Sequence, residues 1–167
     1  YRGSTLVPLA LWCSQRGLSK TVWGFDSFEG FDESIVPDLE MGGPTFGKRM
    51  GGFNETSYEE LLAKVRRLRL NDQVRLVKGY FQDTLVRAAD RQFSFAHLDC
   101  DIYASYRICL EFFYPRMALG GIILLDEYND PPWPGCTKAV DEFMVDKPER
   151  LAGITMDNHT KSYIRKQ

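Results

Sequence analysis

Two short apolar runs, each stopping on acids, constrain this chain more than any other feature. Phe93-Ser94-Phe95-Ala96-His97-Leu98 runs into Asp99-Cys100-Asp101, and Ile122-Ile123-Leu124-Leu125 runs into Asp126-Glu127. Between them lies a mixed amphipathic segment from about Ile102 to Leu119, closed by Gly120-Gly121. Short apolar runs flanking a segment of helix length read as a β-α-β unit. The two strands of such a unit are parallel and covered on both faces, so their carboxyl ends lie side by side. Open α/β sheets bind their ligands beyond such ends. Bringing Asp99, Asp101, Asp126 and Glu127 to one edge costs free energy unless a cation or a bound proton compensates them. The expectation is an α/β fold on a mostly parallel sheet, with its site at this edge.

Size and charge narrow the function further. A chain of 167 residues, 44% hydrophobic, is long enough for one domain spanning 1–167 with a proper core. A formal net charge of -2 without a basic excess argues against nucleic acid as a partner. No apolar run approaches the roughly 18 residues of a membrane span, so no membrane partner is expected. The cysteines at 13, 100, 109 and 136 form no Cys-x-x-Cys pair, which disfavours zinc and suits reduced thiols in a cytoplasmic protein. The chain opens on Tyr1-Arg2-Gly3-Ser4, with no initiator Met and no signal peptide, and is expected to be N-terminally incomplete.

Taken in order, Ser4 is the expected N-cap of a helix over Thr5–Arg16, stopped by Gly17. Thr21–Phe25 reads as a strand ending on Asp26. A carboxylate there either holds the ribose hydroxyls of a nucleoside cofactor or caps a turn with Ser27. Residues 27–56 are rich in glycine and carry Phe28, Phe31, Phe46 and Phe53, the composition of a lid that folds over a ligand. Lys48 and Arg49 within it read as solvated charge. Ser57 and Glu60 have capping-box spacing and open a helix to about Leu70. Val74–Lys78 is the next strand, Gly79–Asp83 its exit turn, and Thr84–Asp90 a short helix. After Glu127 come a proline-stiffened loop, Tyr128–Gly135, a helix over Cys136–Asp146, and a hairpin of Leu151–Met156 with Ser162–Lys166.

The hard oxygen ligands Asp99, Asp126 and Glu127, with Asp101 beside them, suit Mg2+ or a similar cation. Such an ion acts as a Lewis acid on a hydroxyl, and Asp101 or His97 is then a candidate proton acceptor. Strand alternation puts His97 and Asp99 on one face, although a histidine inside an apolar strand is more often a supporting residue than a base. Asp99-Cys100-Asp101 is also an Asp-x-Asp motif, which leaves a metal-dependent nucleotide-sugar glycosyltransferase open, and a non-catalytic binding remnant is a third reading.

A wider pattern joins these pieces. Tyr1-Arg2-Gly3-Ser4, Trp23-Gly24-Phe25-Asp26-Ser27-Phe28-Glu29-Gly30 and Gly79-Tyr80-Phe81-Gln82-Asp83-Thr84-Leu85 occur in that order. They are followed by Leu98-Asp99-Cys100-Asp101-Ile102-Tyr103-Ala104-Ser105, Gly120-Gly121 and Asp126-Glu127-Tyr128. Together they resemble the macrocin O-methyltransferase family along nearly the whole chain. The resemblance implies a Rossmann-like class I methyltransferase, its sheet mostly parallel with a C-terminal antiparallel hairpin. It also implies S-adenosylmethionine as cofactor, Mg2+ assistance, and a hydroxyl of a sugar or other small natural product as acceptor. On this likeness Gly3 and Ser4 line the cofactor's amino-acid end, Asp26 holds its ribose beside Ser27, and Phe81 and Gln82 border the adenine. Asp99, Asp126 and Glu127 match the metal carboxylates and Asp101 the general base. Glu127 stands where the family usually has Asp, and its extra methylene moves the ligand oxygen by about a bond length. The first strand of the family's sheet, between those at 21–25 and 93–98, is expected to be missing from this chain, and a homo-oligomer is compatible with the sequence.

Overall fold

A computed structural model describes residues 2–32, 34, 55–156 and 159–167. They fall in two compact units, Tyr1–Phe31 with Gly51–Val86, and Asp32–Met50 with Arg87–Gln167. Most of the expected lid at 27–56 lies outside the described residues, as does the turn at 157–158.

In the first unit a helix, Leu6–Gln15, packs beside a two-stranded parallel sheet of β1, Val22–Asp26, and β2, Val74–Lys78. The helix starts later than expected: Thr5, not Ser4, is the N-cap residue, and its side chain makes no cap hydrogen bond. Its end is as the sequence implied. Gly17 has φ +64, its N–H donates to Ser14, and Leu18 donates to Cys13, so the last carbonyls are satisfied by a left-handed cap. The helix Tyr58–Arg67 opens on Ser57, whose hydroxyl accepts the Glu60 N–H at 3.3 Å. It stops before Leu70 because Arg69 takes the left-handed conformation, φ 58, that a glycine would normally supply. The compensation is local: Leu70 donates to Val65, and both side chains are buried in the core with Val7, Ala10, Val22, Leu61 and Val74. Beyond β2 the chain turns at once into a helix, Phe81–Thr84, followed by a 3-10 turn, Leu85–Ala88. The expected exit turn is therefore largely helical, with Thr84 Oγ1 donating back to the Tyr80 carbonyl at 2.7 Å.

The second unit holds a four-stranded sheet in the spatial order Phe93–Leu98, Met117–Leu125, His159–Arg165, Leu151–Met156. The strand β3, Phe93–Leu98, runs parallel to β4, Met117–Leu125. The closing hairpin of β5, Leu151–Met156, and β6, His159–Arg165, adds antiparallel to β4 through β6. The crossover helix Tyr103–Phe113 ends well before the expected Leu119. Pro115 has no N–H to continue the helical ladder, and a 3-10 turn, Tyr114–Arg116, leads directly into β4. Gly120-Gly121 is then not a turn between elements but an interruption inside β4. The register jumps between Phe93↔Met117 and Phe95↔Ile122, Gly120 has φ +76, the Gly120 N–H donates to the Lys166 carbonyl, and the Lys166 N–H donates to the Gly121 carbonyl. A helix at Pro134–Met144 packs on the crossover helix, burying Ala139, Val140 and Phe143.

The carboxyl terminus is tied to this unit by Glu149, whose side chain is buried. It accepts hydrogen bonds from Lys166 Nζ at 2.8 Å, from the Gln167 N–H at 3.3 Å, and from the Tyr114 hydroxyl. Burial pushes this carboxyl up, but the donors outweigh it and hold the group at about 2, below its ordinary 4.5. A depressed carboxylate stabilises the fold above its unfolded pKa and loses that contribution as pH falls through its folded value. Glu149→Gln is therefore expected to destabilise the protein by about 2 kcal/mol at neutral pH. Urea melts should show the gap from wild type closing as pH drops from about 4.5 to about 2.

Candidate active site

The acids of the second unit converge because of the β3–β4 register. Leu98 stands opposite Leu125, and the Asp126 N–H continues the ladder to the Leu98 carbonyl at 3.0 Å. The residues that follow leave the sheet side by side. One carboxylate oxygen from each of Asp99, Asp126 and Glu127 lies within 4.8 Å of the others. Their surroundings differ: Asp99 is exposed, Asp126 half-buried, and Glu127 only 4% exposed.

Glu127 is held from behind by Tyr106, a fully buried residue of the crossover helix. Its hydroxyl lies 2.6 Å from Glu127 Oε2 and 2.9 Å from the Leu98 carbonyl. Burial pushes the Glu127 carboxyl up to about 9, with the nearby Asp101, Asp99 and Asp126 adding to the rise and the Tyr106 hydrogen bond opposing it. Asp126 goes the other way. His97 Nε2 bonds its Oδ1 at 3.2 Å and Lys161 Nζ approaches the same oxygen at 3.0 Å, also donating to the Asp126 carbonyl at 2.7 Å. The His97 bond, then that from Lys161, overcomes partial burial and holds Asp126 at about 2. Asp101 sits at φ 59, in the left-handed region, and its N–H points to Glu127 Oε2 at 3.4 Å. A strained backbone of this kind persists only where its surroundings over-determine it, and it clusters at functional sites.

Two supporting residues escaped the sequence reading. Lys161 fell just before the expected second strand of the hairpin, Ser162–Lys166. The strand β6 starts earlier, and the pairing of Ser162 with Leu125 carries Lys161 to the end of β4. Tyr106 lies inside the amphipathic segment between the two apolar runs, and only the buried carboxylate opposite gives its hydroxyl a role. The helix Pro134–Met144 braces the same loops, with Glu142 accepting from Tyr103 at 2.6 Å and Asp141 from Tyr128 at 2.8 Å.

The first unit gathers the other expected residues. Asp26 ends β1 opposite Lys78, and its carbonyl accepts the Gly79 N–H at 3.0 Å, so Asp26-Ser27 and the turn leading to Phe81-Gln82 share one sheet edge. Asp26 Oδ1 accepts the Phe28 N–H at 2.7 Å and Ser27 Oγ donates to the Gly30 carbonyl at 2.6 Å. The turn-capping role expected as the alternative for Asp26 is thus present, and it fixes the carboxylate at the strand end. Gly3, φ +69, accepts the Val7 N–H and lies so close to Leu61 that a Cβ would meet Cδ1 at 2.5 Å. Ser4 follows it in an exposed turn before the helix Leu6–Gln15.

A three-carboxylate donor set of this size suits a hard divalent ion. Burial is the main cause of the rise in Glu127, and the neighbouring acids Asp101, Asp99 and Asp126 add to it.

Among known proteins, the family described as macrocin-O-methyltransferase (TylF) matches residues 1–166. The chain is 33% identical over 146 residues to the demethyldecarbamoylnovobiocin O-methyltransferase of Streptomyces niveus, covering 83% of this chain and 53% of that protein. It is likewise 33% identical over 134 residues to the 8-demethyl-8-(2,3-dimethoxy-alpha-L-rhamnosyl)-tetracenomycin-C 4'-O-methyltransferase of Streptomyces olivaceus, covering 75% and 49%. The chain thus spans about half the length of the curated relatives it matches. The solved O-methyltransferase NovP superposes with a TM-score of 0.79 at 29% identity, over 100% of this chain and 69% of its own.

Proposed function

The chain belongs to the macrocin O-methyltransferase family, and we propose that the protein transfers a methyl group from S-adenosylmethionine to a hydroxyl of a sugar or comparable small natural product with the help of Mg2+. The observation that carries the metal part is the approach of Asp99, Asp126 and Glu127 to within 4.8 Å at two adjacent strand ends. These three would hold the ion, which when bound lowers the pKa of the acceptor hydroxyl and orients it.

The chain's own residues supply the rest. Asp101 accepts the hydroxyl proton. His97 positions Asp126 through the bond from its Nε2 to that carboxylate. Tyr106 does the same for Glu127. Gly3 and Ser4 take the amino-acid end of the cofactor, Asp26 and Ser27 the ribose, and Phe81 and Gln82 the adenine. The sulfonium methyl is already activated, so the protein contributes mainly positioning and electrostatics. Family membership favours this reading of Asp99-Cys100-Asp101 over a nucleotide-sugar site. Both relatives are named for O-methylation, one of them of a rhamnosylated product, which supports the acceptor class. All four cysteines are buried and none is in a disulfide. No described helix is long and apolar enough to cross a membrane.

Incubating the full-length protein with labelled S-adenosylmethionine and a panel of hydroxylated glycosides should yield products one methyl heavier by mass spectrometry. EDTA should abolish the gain and excess Mg2+ restore it. Methylation that persists in EDTA would remove the metal from the mechanism, and no gain on any hydroxyl would remove the acceptor class.

A further inference from the structure

We propose that Lys161 is a built-in counter-cation of the carboxylate cluster, and that a divalent ion binds there in competition with its ammonium for Asp126. The proposal rests on the metal reading above and concerns a residue outside the ligand set.

The geometry is specific. Lys161 Nζ grips Asp126 at two points, Oδ1 at 3.0 Å and the main-chain carbonyl at 2.7 Å. Oδ1 also receives His97 Nε2 at 3.2 Å. A carboxylate oxygen offers about two lone-pair directions, so with both donors in place Asp126 has its other oxygen left for an ion. That ion would face an ammonium across a single carboxylate, a separation well inside the Debye length of roughly 8 Å, where salt does not screen the repulsion.

The two supports of Asp126 are therefore not equivalent. His97, 16% exposed, orients the carboxylate without needing to carry charge. Lys161 carries a full charge and keeps 42% of its side chain exposed, so water receives its ammonium when a divalent ion displaces it. A lysine needed only as a strut gains nothing from that exposure.

The test is Mn2+ binding by calorimetry, with the free ion followed by paramagnetic resonance, on the full-length protein. The variants are Lys161→Met, Lys161→Gln and Lys161→Arg. Met and Gln remove the charge, and Gln keeps a hydrogen-bond donor. Both should bind Mn2+ roughly tenfold more tightly than wild type, with Arg close to wild type. Without the ion, the Met variant should melt at a lower temperature, because the acids are left to repel one another. Unchanged or weaker binding by the Met variant overturns the competition, and so does a Gln variant that tracks wild type. Absence of Mn2+ binding by wild type and all three variants overturns the metal reading itself, a result separate from the first two.

Discussion

Asp99→Ala is expected to lower methyl transfer roughly a thousandfold while leaving the fold and cofactor binding intact. The side chain is exposed at the end of β3 and is one of the three that converge at that edge. Exposed substitutions away from caps and cores usually shift stability by less than about 0.5 kcal/mol, so lost turnover in a variant that melts like wild type reports on chemistry. The same experiment on Glu127 would confuse the two effects. That carboxyl is 4% exposed and bonded to Tyr106, so its removal also takes one of two acceptors from a buried hydroxyl and leaves a gap behind it. The residues proposed for S-adenosylmethionine belong to the other compact unit, and calorimetric titration of the cofactor should give the same affinity in both proteins. Mn2+ affinity should fall sharply. Turnover within a few-fold of wild type would end the metal role of Asp99.

How much of this was legible in the sequence follows from which interactions are local. The strands Val74–Lys78 and Phe93–Leu98 match the expected bounds, because short apolar or alternating runs between turn signals state a strand directly. The convergence of Asp99, Asp126 and Glu127 was readable for the same reason: parallel strands joined by a crossover helix must end together. Other features depend on partners distant in the chain. Arg69 takes a glycine's conformation because Leu70 and Val65 gain a core contact, and nothing in the local residue types announces it. The strand β4 absorbs Gly120-Gly121 because the backbone pairs there with Lys166, a long-range bond that turn propensity does not register. Pro115, by contrast, was a local stop signal, through its missing N–H, that the amphipathic pattern across it concealed. Lys161 and Tyr106 needed the ladder partners of β4 and the buried face of Glu127 before either acquired a role.

Asp101 allows a cleaner separation of proton transfer from ion binding, and its backbone explains how. At φ 59 it occupies the left-handed region, which costs most side chains roughly 1–2 kcal/mol and which Asn and Asp tolerate through their short polar groups. Asp101→Ala would mix that strain with the loss of the carboxylate. Asp101→Asn keeps the shape, the conformation and the N–H that points to Glu127 Oε2 at 3.4 Å, and removes only the capacity to take a proton at the carboxylate. A positioned general base contributes about 10²–10⁴ in rate, so kcat should fall by that range with KM nearly unchanged. Mn2+ binding should stay within a few-fold of wild type, which sets this variant apart from Asp99→Ala, where ion and activity are lost together. If Asp101→Asn turns over at close to the wild-type rate, the proton leaves by another route. Asp101 would then owe its strained backbone to the N–H it offers Glu127 and not to its carboxylate.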